Sequence, residues 1–286
     1  MQPTKERNHS GIHISYGSHN ILFDCGEGIQ RQLKIAGLKR SRITHICISH
    51  WHGDHALGIA GLLSTMGADQ CQHTVMIYGP KGSRKKFNHL KKAFPSMNAA
   101  THKLIEVERG IVFDGDDFVI EAETLSHGID CVGYALREKE KLKIDIKKAR
   151  AKGLSQGPML KEIQLGKSVC VEGKTIKAQD VTTKILGKKL AYVADTRPCI
   201  GARRLAKKSD VLIIESTFLF EDKKYALKFH HMTAKESAEL AAKADAAKVY
   251  LTHPSQRYKD VSVLVREAKK FHKNVRFAKD FMEFEL

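Results

Sequence analysis

Apolar residues along this chain fall into short runs broken by turn residues, the rhythm of strands alternating with helices. Ile12–Ser15 and Asn20–Phe23 read as two short strands, and Gln30–Ala36 as a helix. The run Ile46-Cys47-Ile48 reads as a buried strand, and a packed helix begins near Ala56. Thr74–Tyr78 predicts a strand, and Pro80 opens a basic helix, Lys81–Phe94, at a position where proline is tolerated. Lys103–Val107 and Phe118–Thr124 alternate as half-buried strands do, and Val132–Leu136 follows as another. The strongest core strands are Leu190–Ala194 and Val211–Ile214, with a helix over Gly201–Lys208 between them. Thr233 and Glu236 have the spacing of a capping box for a helix Ala234–Ala247. Val249–Thr252 is a strand, and a last helix, Val261–His272, takes Asp260 as its N-cap. Such alternation predicts a layered α/β (α+β) fold.

The polar residues that interrupt this pattern are not scattered. Asp24, His50, His127, Asp195, Glu215 and His253 each follow, or close, an apolar strand at its carboxyl end. In layered α/β proteins that edge is where ligands and reactive groups gather. The densest stretch is His50-Trp51-His52-Gly53-Asp54-His55, between a strand and a helix. Imidazole nitrogen with carboxylate oxygen is the ligand set of hydrolytic zinc sites. In an extended turn His50 and His52 face one ion, and Asp54 and His55 swing toward a second. Asp24 has two open readings at this point. It accepts from a metal-bound histidine N–H, or it caps the next helix.

Composition changes the picture through charge. The 286 residues carry 49 Lys and Arg against 32 Asp and Glu, a net charge of +17, which suits a polyanionic partner such as nucleic acid. Between Lys139 and Lys189 lie 14 Lys and Arg and five Asp and Glu, so +9 of that excess falls in under a fifth of the chain. The centre of this segment, Gly153-Leu154-Ser155-Gln156-Gly157-Pro158-Met159-Leu160, reads as a projecting arm and a poor core. The bland alternative is a solvated basic loop. No apolar run approaches the roughly 20 residues of a membrane span, and no signal peptide opens the chain. Six dispersed cysteines without a C-x-x-C pair fit reduced thiols in the cytoplasm.

H-x-H-x-D-H at residues 50–55 resembles the signature of the metallo-β-lactamase superfamily, whose members fold as an αββα sandwich. The remaining motifs resemble one branch of it, the ribonuclease Z family of tRNA 3′-processing endonucleases. They are Pro3-Thr4-Lys5-Glu6-Arg7-Asn8, Phe23-Asp24-Cys25-Gly26-Glu27-Gly28, His127 with Gly133-Tyr134, Ala194-Asp195-Thr196, Glu215-Ser216-Thr217-Phe218, His231-Met232-Thr233, and Thr252-His253 with Gln256-Arg257-Tyr258. The resemblance implies one domain over 1–286 of the short form, with an inserted, flexible tRNA-binding arm at about 139–189 that includes Gly157 and Pro158. Two departures stand out. Family members open with a strand running into Gly-Thr-Gly, whereas this chain opens at Met1-Gln2-Pro3, so a sheet edge is expected to be exposed without loss of a ligand. Met232 stands where the family usually has serine.

Carried over residue by residue, the resemblance implies two zinc ions. His50, His52 and His127 hold one, Asp54, His55 and His253 the other, and Asp195 bridges them. It further implies that Asp54 orients or deprotonates the attacking water, and that His231, supported by Glu215, protonates the leaving ribose oxygen. The expected function is removal of the 3′ trailer from precursor tRNA, leaving a 3′-hydroxyl, by a cytoplasmic homodimer. The alternatives are a hydrolase of the same fold acting on a small phosphodiester, lactone or thioester, and a non-catalytic RNA-binding scaffold. The basic arm and the Glu215/His231 pair speak against the first, and the complete ligand set against the second.

Overall fold

A computed structural model describes residues 2–154, 157–171 and 173–286. The chain divides into two compact units, one of Met1–Asp114, Ile120–Leu136 and Lys189–Leu286, the other of Gly115–Val119 and Arg137–Lys188. In the larger unit a five-stranded sheet runs in the order Ile12–Tyr16, His19–Phe23, His45–Cys47, Val75–Gly79, His102–Glu106. Its first two strands form an antiparallel hairpin and the rest pair parallel. A seven-stranded sheet runs Val275–Phe277, Lys248–Thr252, Val211–Glu215, Lys189–Val193, Val132–Glu138, Phe118–Thr124, Gly110–Asp114. The first four of these are parallel.

Side-chain alternation sorts the layers. Leu22, Ile46 and Ile77 turn toward Ile29, Leu33, Ile59, Leu62, Met66 and Phe87, which come from helices Ile29–Ile35, Gly58–Ala68 and Ser83–Ala93. Each such fully buried side chain is worth roughly 1.5–3 kcal/mol of transfer free energy. Phe23 turns the other way, and its ring stacks 5.7 Å from Tyr134 and 6.1 Å from Tyr192 of the second sheet. The Tyr134 hydroxyl also donates to the Ile48 carbonyl across the gap (2.9 Å). Helices Ile200–Ala206, Ala234–Lys243 and Ser262–Ala268 cover the far face of that sheet. Helix, sheet, sheet, helix is the αββα sandwich that the sequence predicts.

The loops that carry the metal-type residues are pinned by close backbone approach. Cys25 N–H donates to the His55 carbonyl (2.8 Å), and Gly58 N–H to the Cys25 carbonyl (2.9 Å). A Cβ on Gly26 would lie 2.3 Å from the Asp54 carbonyl, and one on Gly58 2.2 Å from the Gly26 carbonyl. Only glycine fits at this crossing, so the Asp24 loop is held against the H-x-H-x-D-H turn.

Element boundaries differ from expectation where the chain turns. The basic helix starts at Ser83 and not Lys81, because Gly82 sits in the left-handed region (φ 80°) at its N-cap. The last helix runs Ser262–Ala268 with Val261 and not Asp260 at its N-cap, although the Asp260 carboxylate does take the Ser262 N–H just before it. The Thr233–Glu236 capping box is present. Gly110–Asp114 and the three-residue Val275–Phe277 escaped the sequence reading. The latter is too short for periodicity to register.

The smaller unit has a core of its own, contrary to the expectation of a poorly packed arm. Ala149, Leu154, Ile163, Val169, Ile176, Ala178 and Val181 are buried together, with Leu142, Ile144, Leu160 and Val171 packed around them. Lys141–Ile144 pairs antiparallel with Thr182–Ile185, and Val169–Val171 with Lys174–Ile176. Asp145 caps helix Ile146–Ala151 by accepting from Lys147 and Lys148 N–H. Gly157, at φ 110°, precedes helix Pro158–Gln164, with the proline in its first turn. Ser155 and Gln156, central to the expected arm, lie outside the described residues.

Candidate metal centre

Loops at the carboxyl ends of the central strands bring seven donors to one place. Ligand atoms of His50, His52, His127 and Asp195 lie within 4.8 Å of one another, and so do those of Asp54, His55 and His253. The Asp195 carboxylate sits between the groups, with Oδ2 3.7 Å from His50 Nε2 and 3.4 Å from both His55 Nε2 and His253 Nε2. Asp54 Oδ2 lies 3.2 Å from His253 Nε2 and 3.4 Å from His55 Nε2. His52 is exposed while Asp195 and His50 are buried, so the cluster opens to solvent on the His52 side.

The outer hydrogen bonds fix how the rings face. Ser49 donates its hydroxyl proton to Asp24 Oδ2 (2.9 Å), which leaves its oxygen to accept from His50 Nδ1 (3.0 Å). His55 Nδ1 donates to Asp24 Oδ2 (2.7 Å), and His127 Nδ1 to the His230 carbonyl (3.1 Å). Thr217 donates to Glu215 Oε2 (2.7 Å), so His253 Nδ1 donates to Thr217 (3.1 Å). Four histidines thus spend the Nδ1 proton outward and aim the Nε2 lone pair at the centre, the tautomer a metal ligand requires.

Whether a cation suits the cluster is decided by charge. His52 Nδ1 lies 3.0 Å from His50 Nε2 and 3.3 Å from His127 Nε2. One N–H on His52 Nδ1 serves one contact and leaves the other Nε2 lone pair without a proton to accept. Burial holds all three rings below their ordinary pKa, His50 most strongly, so a proton is a poor remedy. On the other side burial alone would lower His55, but the charges of Asp195 and Asp24 outweigh it and push the ring well up. The buried Nε2 of His55 and Oδ1 of Asp195 have no hydrogen-bond partner among the described residues. Burial would raise Asp195, yet His253 and His55 hold it well below the usual carboxylate range. These residues fit divalent metal, with donors typical of zinc.

Beside the cluster stands a second constellation. Glu215, fully buried, accepts at Oε1 from His231 Nδ1 (3.0 Å) and Thr196 N–H (2.7 Å), and at Oε2 from Met232 N–H (3.0 Å) and Thr217. Burial opposes a charge on His231, but Glu215 and Asp195 overcome it and raise its pKa to about 9. His231 is therefore protonated at neutral pH. Arg197 locks the segment, donating to the His231 carbonyl and to both oxygens of Glu236. His231 Nδ1 also comes within 4.0 Å of Asp195 Oδ2, which makes it a geometric rival for a ligand position. Its engagement with Glu215 argues against that role.

Asp24 caps no helix. The first turn of Ile29–Ile35 has Gly28 at its N-cap with no side-chain bond. Its carboxylate instead collects the Ser49 backbone N–H, the Ser49 hydroxyl, His55 and the Tyr192 hydroxyl (2.6 Å). The sequence assigns no role to Ser49, Tyr192, Thr217, Thr196 or Arg197. Thr196 and Thr217 lie inside quoted motifs and Ser49 and Arg197 adjoin them, whereas Tyr192 lies inside a core strand and carries no local signal. Gly157 and Pro158 lie in the smaller unit.

The Anti-Pycsar protein Apyc1 family matches residues 3–124. A Ribonuclease Z of Chlamydia muridarum is 36% identical over 289 residues, spanning 100% of this chain and 94% of that protein. The crystal structure of human tRNase Z, short form, superposes with a TM-score of 0.71 at 25% identity, covering 99% of this chain and 94% of its own. A metallo-β-lactamase fold protein of Bacillus subtilis superposes at 0.68 with 20% identity over 97% and 91% of the two chains, which speaks for the fold alone.

Proposed function

The chain belongs to the ribonuclease Z family, and we propose that it is a metal-dependent endoribonuclease that removes the 3′ trailer from precursor tRNA, leaving a 3′-hydroxyl on the tRNA. The observation that carries the reading is the coexistence of a seven-donor cluster and, beside it, His231 held by buried Glu215. A simple metal hydrolase needs the first and not the second.

In this reading His50, His52 and His127 would hold one zinc ion and Asp54, His55 and His253 the other, with Asp195 placed to serve both. Bound divalent cations supply positive charge against the phosphate and make water acidic enough to attack near neutral pH. Asp54, kept anionic by His253 and His55 against the effect of burial, orients or deprotonates the attacking water. As the bond from phosphorus to the ribose 3′-oxygen breaks, His231 gives that oxygen a proton, as general acid catalysis requires. Glu215 keeps the donor charged and oriented, then stabilises it through reprotonation. The trailer leaves with a 5′-phosphate.

The basic segment of about 139–189, with Gly157 and Pro158 at the start of its helix, grips the tRNA body in this proposal. The protein works as a cytoplasmic homodimer, which sedimentation reads as twice the 32.1 kDa chain. No helix among the described residues is long and apolar enough to cross a membrane. Incubating the purified protein with a 3′-extended tRNA transcript and mapping both product ends tests the activity. A tRNA product ending in a 3′-phosphate or cyclic phosphate would overturn the proposed chemistry.

A further inference from the structure

The metal cluster opens beside a surface that the chemistry above does not use. Trp51, inside the H-x-H-x-D-H turn, donates its indole N–H to Ser83 Oγ (2.7 Å) and sets its ring 6.5 Å from Phe87. The turn is thereby tied to helix Ser83–Ala93. Between turn and helix lies a groove of about 410 Å³ that starts at His52. Trp51, Leu57, Leu90 and Ala93 form its apolar floor, and Lys86 and His89 its rim. Leu57 is 53% exposed, an unusual position for a leucine next to a metal ligand. A second hollow of about 440 Å³ shares His89 and continues along the same helix past Lys85, Lys91, Lys92 and Asn98.

Charge sharpens the picture. Residues 83–93 hold five Lys and Arg and no Asp or Glu. Lys85, Lys86 and Lys92 are exposed, and none of them is in an ion pair among the described residues. An apolar, aromatic-containing floor with an uncompensated cationic rim is what a single-stranded nucleic acid needs, since bases stack on the floor while phosphates meet the lysines. A small neutral ligand would have no use for the lysines, and duplex RNA would not fit its bases into a groove.

We propose that this groove binds the single-stranded 3′ trailer of the precursor, from the scissile phosphate outward along helix Ser83–Ala93. The proposal rests on the reading of the protein as a tRNA 3′-processing enzyme and specifies a second contact surface for the same substrate. Polarity follows from the proton donor. His231 meets the oxygen that stays on the tRNA, so the tRNA end lies by His231 and Glu215. The phosphate stays with the trailer, whose first base then enters beside His52 and Trp51.

Trp51 is the only tryptophan in the chain, so its fluorescence reports the groove directly. Titration with oligouridylate is expected to change Trp51 emission saturably. Replacing Lys85→Ala, Lys86→Ala and Lys92→Ala together should weaken that titration and lower its salt slope by about two, at roughly 0.7 per lost phosphate contact. In cleavage, the same variant should raise KM for a long-trailer precursor on the order of tenfold more than for a single-nucleotide trailer. An oligouridylate titration without a Trp51 response, or equal losses on both precursors, would overturn the groove as a trailer site. If the parent enzyme cleaves neither precursor, the activity assignment fails instead, and the fluorescence titration still decides the groove.

Discussion

Replacing His231 with alanine separates proton donation from metal chemistry. The Glu215 contact of 3.0 Å and the pKa of about 9 keep the ring charged at neutral pH, so nearly every enzyme molecule carries the proton to be given. The need for that proton depends on the leaving group. A ribose 3′-alkoxide is strongly basic, while nitrophenolate departs unaided. Losing a positioned acid costs about 100-fold or more, so pre-tRNA cleavage by His231→Ala should fall by that factor. Hydrolysis of a bis-nitrophenyl phosphodiester should fall far less. Because His231 Nδ1 also lies 4.0 Å from Asp195 Oδ2, bound zinc must be measured in the same preparation, and it should be unchanged. Glu215→Ala should give the same pattern more weakly if orientation is its main role. Equal losses on the two substrates, or a lost zinc ion, would refute the assignment of His231 as the acid.

Three further outcomes are expected. Asp195→Ala should lose both metal ions and activity together, against a stoichiometry near two in the parent by elemental analysis, because its carboxylate approaches both donor groups. Changing exposed Lys147, Lys161, Lys174 and Lys177 to alanine should lower the salt slope of pre-tRNA binding by about 0.9 per lost phosphate contact and spare the small phosphodiester; excising Gly153–Lys167 is the worse test, since it would remove buried Leu154 and Ile163. Burial, aided by His19, lowers His45 to about 4 from 6.5, so the unfolded chain binds that proton first and stability falls as pH drops from about 6.5 toward 4, by about 3 kcal/mol in all. His45→Phe should remove that component from urea midpoints, and an identical pH dependence in parent and variant would rule it out.

What the sequence made legible was whatever is local. The H-x-H-x-D-H turn, the capping box at Thr233 and Glu236, and the strand-end position of Asp195, Glu215 and His253 all depend on neighbours within a few residues. The structure brings the turn, Asp195 and His253 together as one cluster and sets Glu215 beside it. The smaller unit was misread for the complementary reason. Its buried and half-buried apolar residues are spread from Leu142 to Val181 over three short strands and three short helices. Single apolar residues set among lysines look like a solvated arm until the chain folds back and buries them together.

The support around the metal-type donors shows the same division at finer scale. Asp24 had two sequence-level roles, and the choice fell to partners 25, 31 and 168 residues away, Ser49, His55 and Tyr192. No spacing rule reaches that far. Backbone conformation adds a second hidden ingredient. Asp24 and His253 both adopt left-handed φ, 59° and 58°, which non-glycine residues rarely do. Each stands where a strand stops and its side chain must turn toward the cluster. Such strain persists only where surrounding contacts over-determine it. Asp24 has four hydrogen bonds to do so, and His253 is held by Thr217. The tautomers that direct four imidazoles inward are thus set by second partners, and those partners are in turn positioned by the sheet sandwich. Chemistry at the centre is a property of the fold as a whole, although four of its seven donors are written in a six-residue motif.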